Sequence, residues 1–122
     1  MKRIAIIDDS EIVLESLRDS LEEAGYSVVT MTEPTKELLE DGGTLDLVLM
    51  DVNLPQMYGD DAADLILEFW KIDAPIYLLS DLDEEELAER SRQVKVAGYI
   101  CKSWGMDRVV NSVRSALEDQ PG

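Results

Sequence analysis

Five short apolar runs alternate with stretches in which apolar residues recur at helical spacing. The runs are Arg3–Ile7, Ser27–Met31, Asp46–Met50, Pro75–Leu79 and Ala97–Cys101. They are rich in Ile, Val, Leu and Tyr, which suits strands. Leu47–Met50 is apolar without a break, the pattern of a strand covered on both faces. It then ends in Asp51, a carboxylate where an unpaired buried charge is costly.

The stretches between read as helices. Ser10–Ala24 places Val13, Leu17, Leu21 and Ala24 on one face, and Gly25 is suited to stop it. Pro34–Glu40 opens on a proline that fits a first helical turn. Gly59–Lys71 aligns Ala62, Leu65, Ile66, Phe69 and Trp70. Asp83–Arg92 has a thin apolar face, little more than Leu87 and Ala88. Trp104–Leu117 carries Met106, Val109, Val110, Val113 and Leu117 at helical spacing.

The sum is a (βα)₅ chain. Strands alternating with helices through short connections predict a doubly wound parallel sheet with helices on both faces. Ligands of such sheets bind outside the carboxyl ends of the strands. Strand one ends in Asp8 and Asp9, strand three in Asp51, strand four in Ser80 and strand five in Lys102. A parallel sheet gathers these five at one edge, and Asp51 is expected at its mouth rather than buried.

Charge sharpens this picture. With 11 basic and 27 acidic residues in 122, the formal net charge is −16. Lys and Arg supply most affinity for nucleic acid and anionic lipid, so neither is an expected partner. Divalent cations and basic protein faces fit better. One domain is expected from the length, over residues 1–120 with a tail at 121–122. The single cysteine, Cys101, rules out an internal disulfide and suits a reducing, cytoplasmic setting. It precedes Lys102 in a strand, so it should point the other way, into the core. With no histidine in the chain, a Ser-His-Asp triad, a histidine zinc site and a phosphohistidine carrier are all excluded.

Three carboxylates held together repel: a like pair about 4 Å apart costs about 4 kcal/mol at an effective dielectric of about 20. A hard cation such as Mg²⁺ relieves this, and it characteristically binds one or two carboxylates plus substrate phosphate. A carboxylate beside such an ion and a lysine is suited to accept a phosphoryl group. The plainer alternatives are that Asp9 or Ser10 caps the next helix and that Lys102 is a surface residue.

Taken in order, "IIDDS", "LVLMDVNLPQMYG", "IYLLSD" and "GYICKSW" resemble the receiver domain of bacterial two-component response regulators, over Lys2 to Leu117. The resemblance implies a CheY-like, flavodoxin-like sheet of order 2-1-3-4-5. It implies Asp51 as phosphoacceptor and Asp9 as a direct ligand of Mg²⁺ or Mn²⁺, with Asp8 a direct or water-mediated one. Asn53 would offer its backbone carbonyl to the metal, while Pro55 and Gly59 shape the loop after the acceptor. Ser80 would be the switch hydroxyl and Lys102 the partner of the acceptor. Tyr99 falls at a switch aromatic, although a strand tyrosine is ordinarily packing. The resemblance further implies a histidine kinase or phosphotransfer protein as donor. The target would be a protein reached by contact through the fourth helix, fifth strand and fifth helix, by a monomer or weak homodimer. Small-molecule turnover is not expected beyond the domain's own phosphotransfer and autodephosphorylation, and no output domain is expected after the fifth helix.

Two positions depart from the family. Ser103 stands where proline follows the lysine, and Asp81 where a small residue follows the switch hydroxyl. They leave open a receiver-like module that works without phosphorylation. A dehalogenase-type phosphatase would need an acid two residues after its nucleophile, and here Asn53 cannot serve as one. A flavodoxin-type binder would need a phosphate cradle, but "DDSE" is acidic and lacks glycine.

Overall fold

A computed structural model describes residues 2–33, 35–40, 44–52, 74–92 and 96–118. In chain order the elements are β1 (Arg3–Ile7), α1 (Glu11–Glu23), β2 (Ser27–Met31), α2 (Lys36–Glu40), β3 (Leu47–Asp51), β4 (Ile76–Ser80), α3 (Glu84–Arg92), β5 (Gly98–Cys101) and α4 (Met106–Glu118). The helix expected over 59–71, together with Pro34, Asn53 and Pro55, lies outside the described residues.

The five strands pair in parallel in the order β2-β1-β3-β4-β5, as expected. Ile4 stands opposite both Val28 and Leu47, Asp51 opposite Leu79, and Ser80 opposite Cys101. Two strands sit one residue later than the apolar runs suggested. At their starts, Asp46 uses its carboxylate to accept from the Arg3 N–H at 2.8 Å, and Pro75 has no N–H to give a ladder. At their ends the ladder continues, with Val52 N–H donating to Leu79 O at 3.1 Å. Asp51 and Ser80 are therefore strand residues.

Alternation along the strands makes two cores. Ile4, Ile6, Leu47, Leu49, Leu79 and Ile100 pack under α1 and α4, against Leu17, Leu21, Val109 and Val113. Ala5, Ile7, Val48, Met50 and Ile76 face the other way, toward Leu39 of α2. Leu87 of α3 completes that second side with Val52, Leu78 and Cys101. Each fully buried Ile or Leu of this kind contributes about 1.5–3 kcal/mol relative to exposure.

Helix α1 has defined ends. Ser10 is its N-cap, with Oγ accepting from the Val13 N–H at 3.4 Å. At the other end Gly25 takes φ 101°. Its N–H reaches Glu22 O at 3.0 Å, and the Tyr26 N–H reaches Leu21 O at 3.1 Å. These bonds satisfy carbonyls the helix leaves open. The buried stripe is Leu14, Leu17 and Leu21; Val13, expected on it, lies at its half-buried edge. Among the described residues, no helix is long and apolar enough to cross a membrane.

Candidate functional site

The parallel sheet brings Asp8, Asp9, Asp51, Ser80 and Lys102 to its carboxyl edge. Asp8 follows β1, where its N–H donates to Met31 O at 3.1 Å. Its Oδ1 accepts from the Ser10 N–H at 2.8 Å, so the turn into α1 fixes this carboxylate. Asp9, one residue on, is exposed. Asp51 closes β3 and is 4% exposed, and Ser80 closes β4 at 2%. Asp51 is thus at the mouth of the sheet and buried as well, because Val52 continues into the core behind it.

Lys102 arrives by a backbone bond just past β5: its N–H donates to Ser80 O at 2.8 Å. Every described peptide bond is trans, that before Ser103 included. The missing proline therefore does not keep the lysine from the site. Its Nζ lies 2.6 Å from Asp8 Oδ2 and 3.4 Å from Asp51 Oδ2. Burial alone pushes the ammonium down, but contact with Asp8 and the charges of Asp8 and Asp51 together outweigh it. Lys102 is held above its ordinary value of 10.5. The contact with Asp8 Oδ2 lies off a hydrogen-bond direction, so that fully buried oxygen has a neighbouring charge but no hydrogen-bond donor.

Carboxylate oxygens of Asp8, Asp9 and Asp51 lie within 4.8 Å of one another. Three acids and one ammonium leave two formal negative charges, which one divalent cation cancels. An all-oxygen donor set and a buried oxygen lacking a donor both fit a hard cation. Beside them opens a cavity of about 290 Å³ lined by Asp9, Asp51, Ser80, Asp81, Leu82 and Lys102. A larger hollow of about 570 Å³ runs along α1 and the end of β2, and none of these six residues lines it.

Two details were not legible in the sequence. The Leu82 N–H donates to Ser80 Oγ at 3.1 Å, tying that hydroxyl to the loop leading into α3. Tyr99 is half-buried and points away from the cavity, with its hydroxyl 3.5 Å from Glu84 Oε1 on α3. Cys101 is buried as expected, and burial first, then Glu84, pushes its thiol above 9.0. Asn53 and Gly59 lie outside the described residues.

This order of strands, with an acidic cluster and a lysine at its carboxyl edge, defines a CheY-like receiver. The chain matches the response regulator receiver domain over residues 4–114 and belongs to that family. It is 30% identical over 118 residues to the transcriptional regulatory protein PdtaR of Mycobacterium tuberculosis, a match covering 95% of this chain and 57% of that protein. The chain thus spans a little over half of that relative's length. It is 31% identical over 116 residues to the chemotaxis protein CheY of Thermotoga maritima, covering 92% of this chain and 94% of the relative. Among solved structures, a CheY-like receiver domain protein from Methanospirillum hungatei superposes with a TM-score of 0.80 at 23% identity, covering 98% of this chain and 95% of that one. The chain is a receiver domain of phosphorylation-based two-component signalling.

Proposed function

We propose that this chain is a phosphorylation-dependent switch that accepts a phosphoryl group on Asp51 from a histidine kinase or phosphotransfer protein. The observation that carries the reading is Asp51 itself: a strand-end carboxylate 3.4 Å from Lys102 Nζ, sharing one cavity with Ser80. Asp8, Asp9 and Asp51 would hold Mg²⁺ or Mn²⁺, with a backbone carbonyl from Asn53. When bound, the cation supplies charge neutralisation for the phosphoryl oxygens.

An Asp51 carboxylate oxygen attacks phosphorus, and a P–O bond forms as the P–N bond to the donor imidazole breaks. The electron pair leaves with that imidazole. Lys102 lies where it can move from Asp8 toward a new phosphoryl oxygen. The Ser80 hydroxyl rotates to donate to another, and its bond with the Leu82 N–H couples that rotation to the loop before α3. Tyr99 then turns from Glu84 toward the space beside Ser80. The α3–β5–α4 surface carries the signal to a protein target by contact. The receiver unit is taken as residues 1–120, cytoplasmic, monomeric or weakly dimeric, and without small-molecule turnover.

Asp81 is exposed at the cavity rim. Its charge opposes an incoming phosphate, which would slow phosphorylation, dephosphorylation or both. The Asp81→Ala variant is expected to react faster in at least one direction; equal rates in both would remove this role. The same acid is the observation that favours a second reading, a receiver-like module acting without phosphorylation. Labelling by phosphoramidate with Mg²⁺, compared between wild type and Asp51→Ala, separates the two. Amide exchange on α3 and β5 that is unmoved by an acyl-phosphate mimic would count against the output surface.

A further inference from the structure

Four side chains close a ring on the α3–β5–α4 surface. Glu84 Oε1 lies 3.5 Å from the Tyr99 hydroxyl, which donates to it, and 3.5 Å from an Arg108 guanidinium nitrogen. That guanidinium stacks 3.8 Å from the centre of the Trp104 ring. Trp104 in turn lies beside Tyr99, with ring centres 6.2 Å apart and planes tilted by 51°. The ring joins the start of α3, the middle of β5, the turn after it and the first turn of α4.

Each member has a reason to be there. Glu84 opens α3, where a carboxylate suits the helix N-terminus. Arg108 offers a planar cation, the shape that stacks on indole while pairing with a carboxylate. Tyr99 and Trp104 bring aromatic faces that prefer a tilted arrangement at this distance. The Tyr99–Glu84 bond is long, and both charged partners are more than half exposed. Each contact is therefore weak alone, and the ring is easily opened.

We propose that Glu84, Arg108 and Trp104 form a latch that holds Tyr99 outward until Asp51 is modified. Arg108 is a positioning residue: it fixes Glu84 and Trp104, which together bracket Tyr99. The latch rests on the switch reading above, because it matters only if Tyr99 turns inward. Turning inward breaks the bond to Glu84 and removes the aromatic neighbour of Trp104. The first turn of α4 thereby senses the state of Asp51. A latch that favours the outward state lowers the affinity of any ligand that selects the inward one.

The test is equilibrium binding of beryllofluoride in excess Mg²⁺, followed by ¹⁹F NMR, in four full-length proteins: wild type, Arg108→Ala, Tyr99→Ala and the double variant. The latch predicts that Arg108→Ala binds about two- to fivefold more tightly, the size of an exposed cation–π contact. It also predicts that this gain vanishes in the Tyr99→Ala background, the coupling that a double-mutant cycle isolates. A purely structural Arg108 would lower thermal stability without tightening binding. Unchanged affinity in Arg108→Ala, or an equal gain with and without Tyr99, overturns the latch. Absence of binding in wild type would remove the switch reading, and the latch with it.

Discussion

Lys102 Nζ lies 2.6 Å from Asp8 Oδ2, closer than the 3.4 Å that separates it from Asp51 Oδ2. The lysine is therefore shared between two acids, with the nearer one on β1's exit rather than on β3. Removing it takes the shared ammonium away from two buried carboxylates. Lys102→Met is expected to destabilise the protein by about 3–5 kcal/mol, as for other broken buried pairs. Mg²⁺ should restore part of this loss in chemical denaturation. A variant as stable as wild type in metal-free buffer would show that the pair is not closed in solution.

The pairing also fixes a pH dependence. Asp8 and Asp51 hold Lys102 above its ordinary value of 10.5. A group whose folded value is raised stabilises the fold fully below the unfolded value and loses that contribution as pH rises through the folded one. The stability gap between wild type and Lys102→Met should therefore stay level from neutral pH toward the ordinary lysine range and shrink only above it. Denaturant midpoints across that alkaline range check the sign.

Mg²⁺ should stabilise the protein against heat, by about 2.7 kcal/mol at a hundred times its dissociation constant. Asp9→Asn removes an exposed carboxylate of the cluster. It is expected to fold normally and to lose most of the Mg²⁺ response in thermal unfolding. An undiminished response would place the cation elsewhere.

Cys101 is the only cysteine, buried between Val52, Leu78 and Leu87. Burial and Glu84 hold the thiol neutral, so alkylation should be slow at neutral pH. Leu87 is the only buried side chain of α3 among the described residues. Leu87→Ala should cost about 2–5 kcal/mol and speed alkylation by loosening α3. Equal rates in the two proteins would argue that α3 is anchored by other contacts.

Gly25 takes φ 101°, with nothing near enough to touch an added Cβ. The cost of Gly25→Ala is therefore one of backbone conformation, about 1 kcal/mol or more. It should appear as a lowered denaturation midpoint with unchanged phosphorylation.

Much of this was legible because parallel sheets obey a simple rule. Uniform apolar runs such as Leu47–Met50 mark strands, and the rule then puts Asp8, Asp9, Asp51, Ser80 and Lys102 at one edge. What was not legible depends on side-chain direction. The Asp8–Lys102 contact needs the Ser10 N–H to orient one carboxylate, and the ring around Glu84 needs three separate elements to meet. Two strands end one residue past their apolar runs because backbone pairing continues through Asp51 and Ser80 whatever their side chains. The stripe on α1 shifted from Val13 to Leu14 because periodicity fixes the spacing of a face better than its edge.

Whether Asp51 takes a phosphoryl group is read from intact-protein mass spectrometry after incubation with phosphoramidate and Mg²⁺. One added phosphoryl group on wild type, none on Asp51→Ala and none without a divalent cation is the predicted result. An unmodified wild type, under conditions that label another receiver domain, would contradict it.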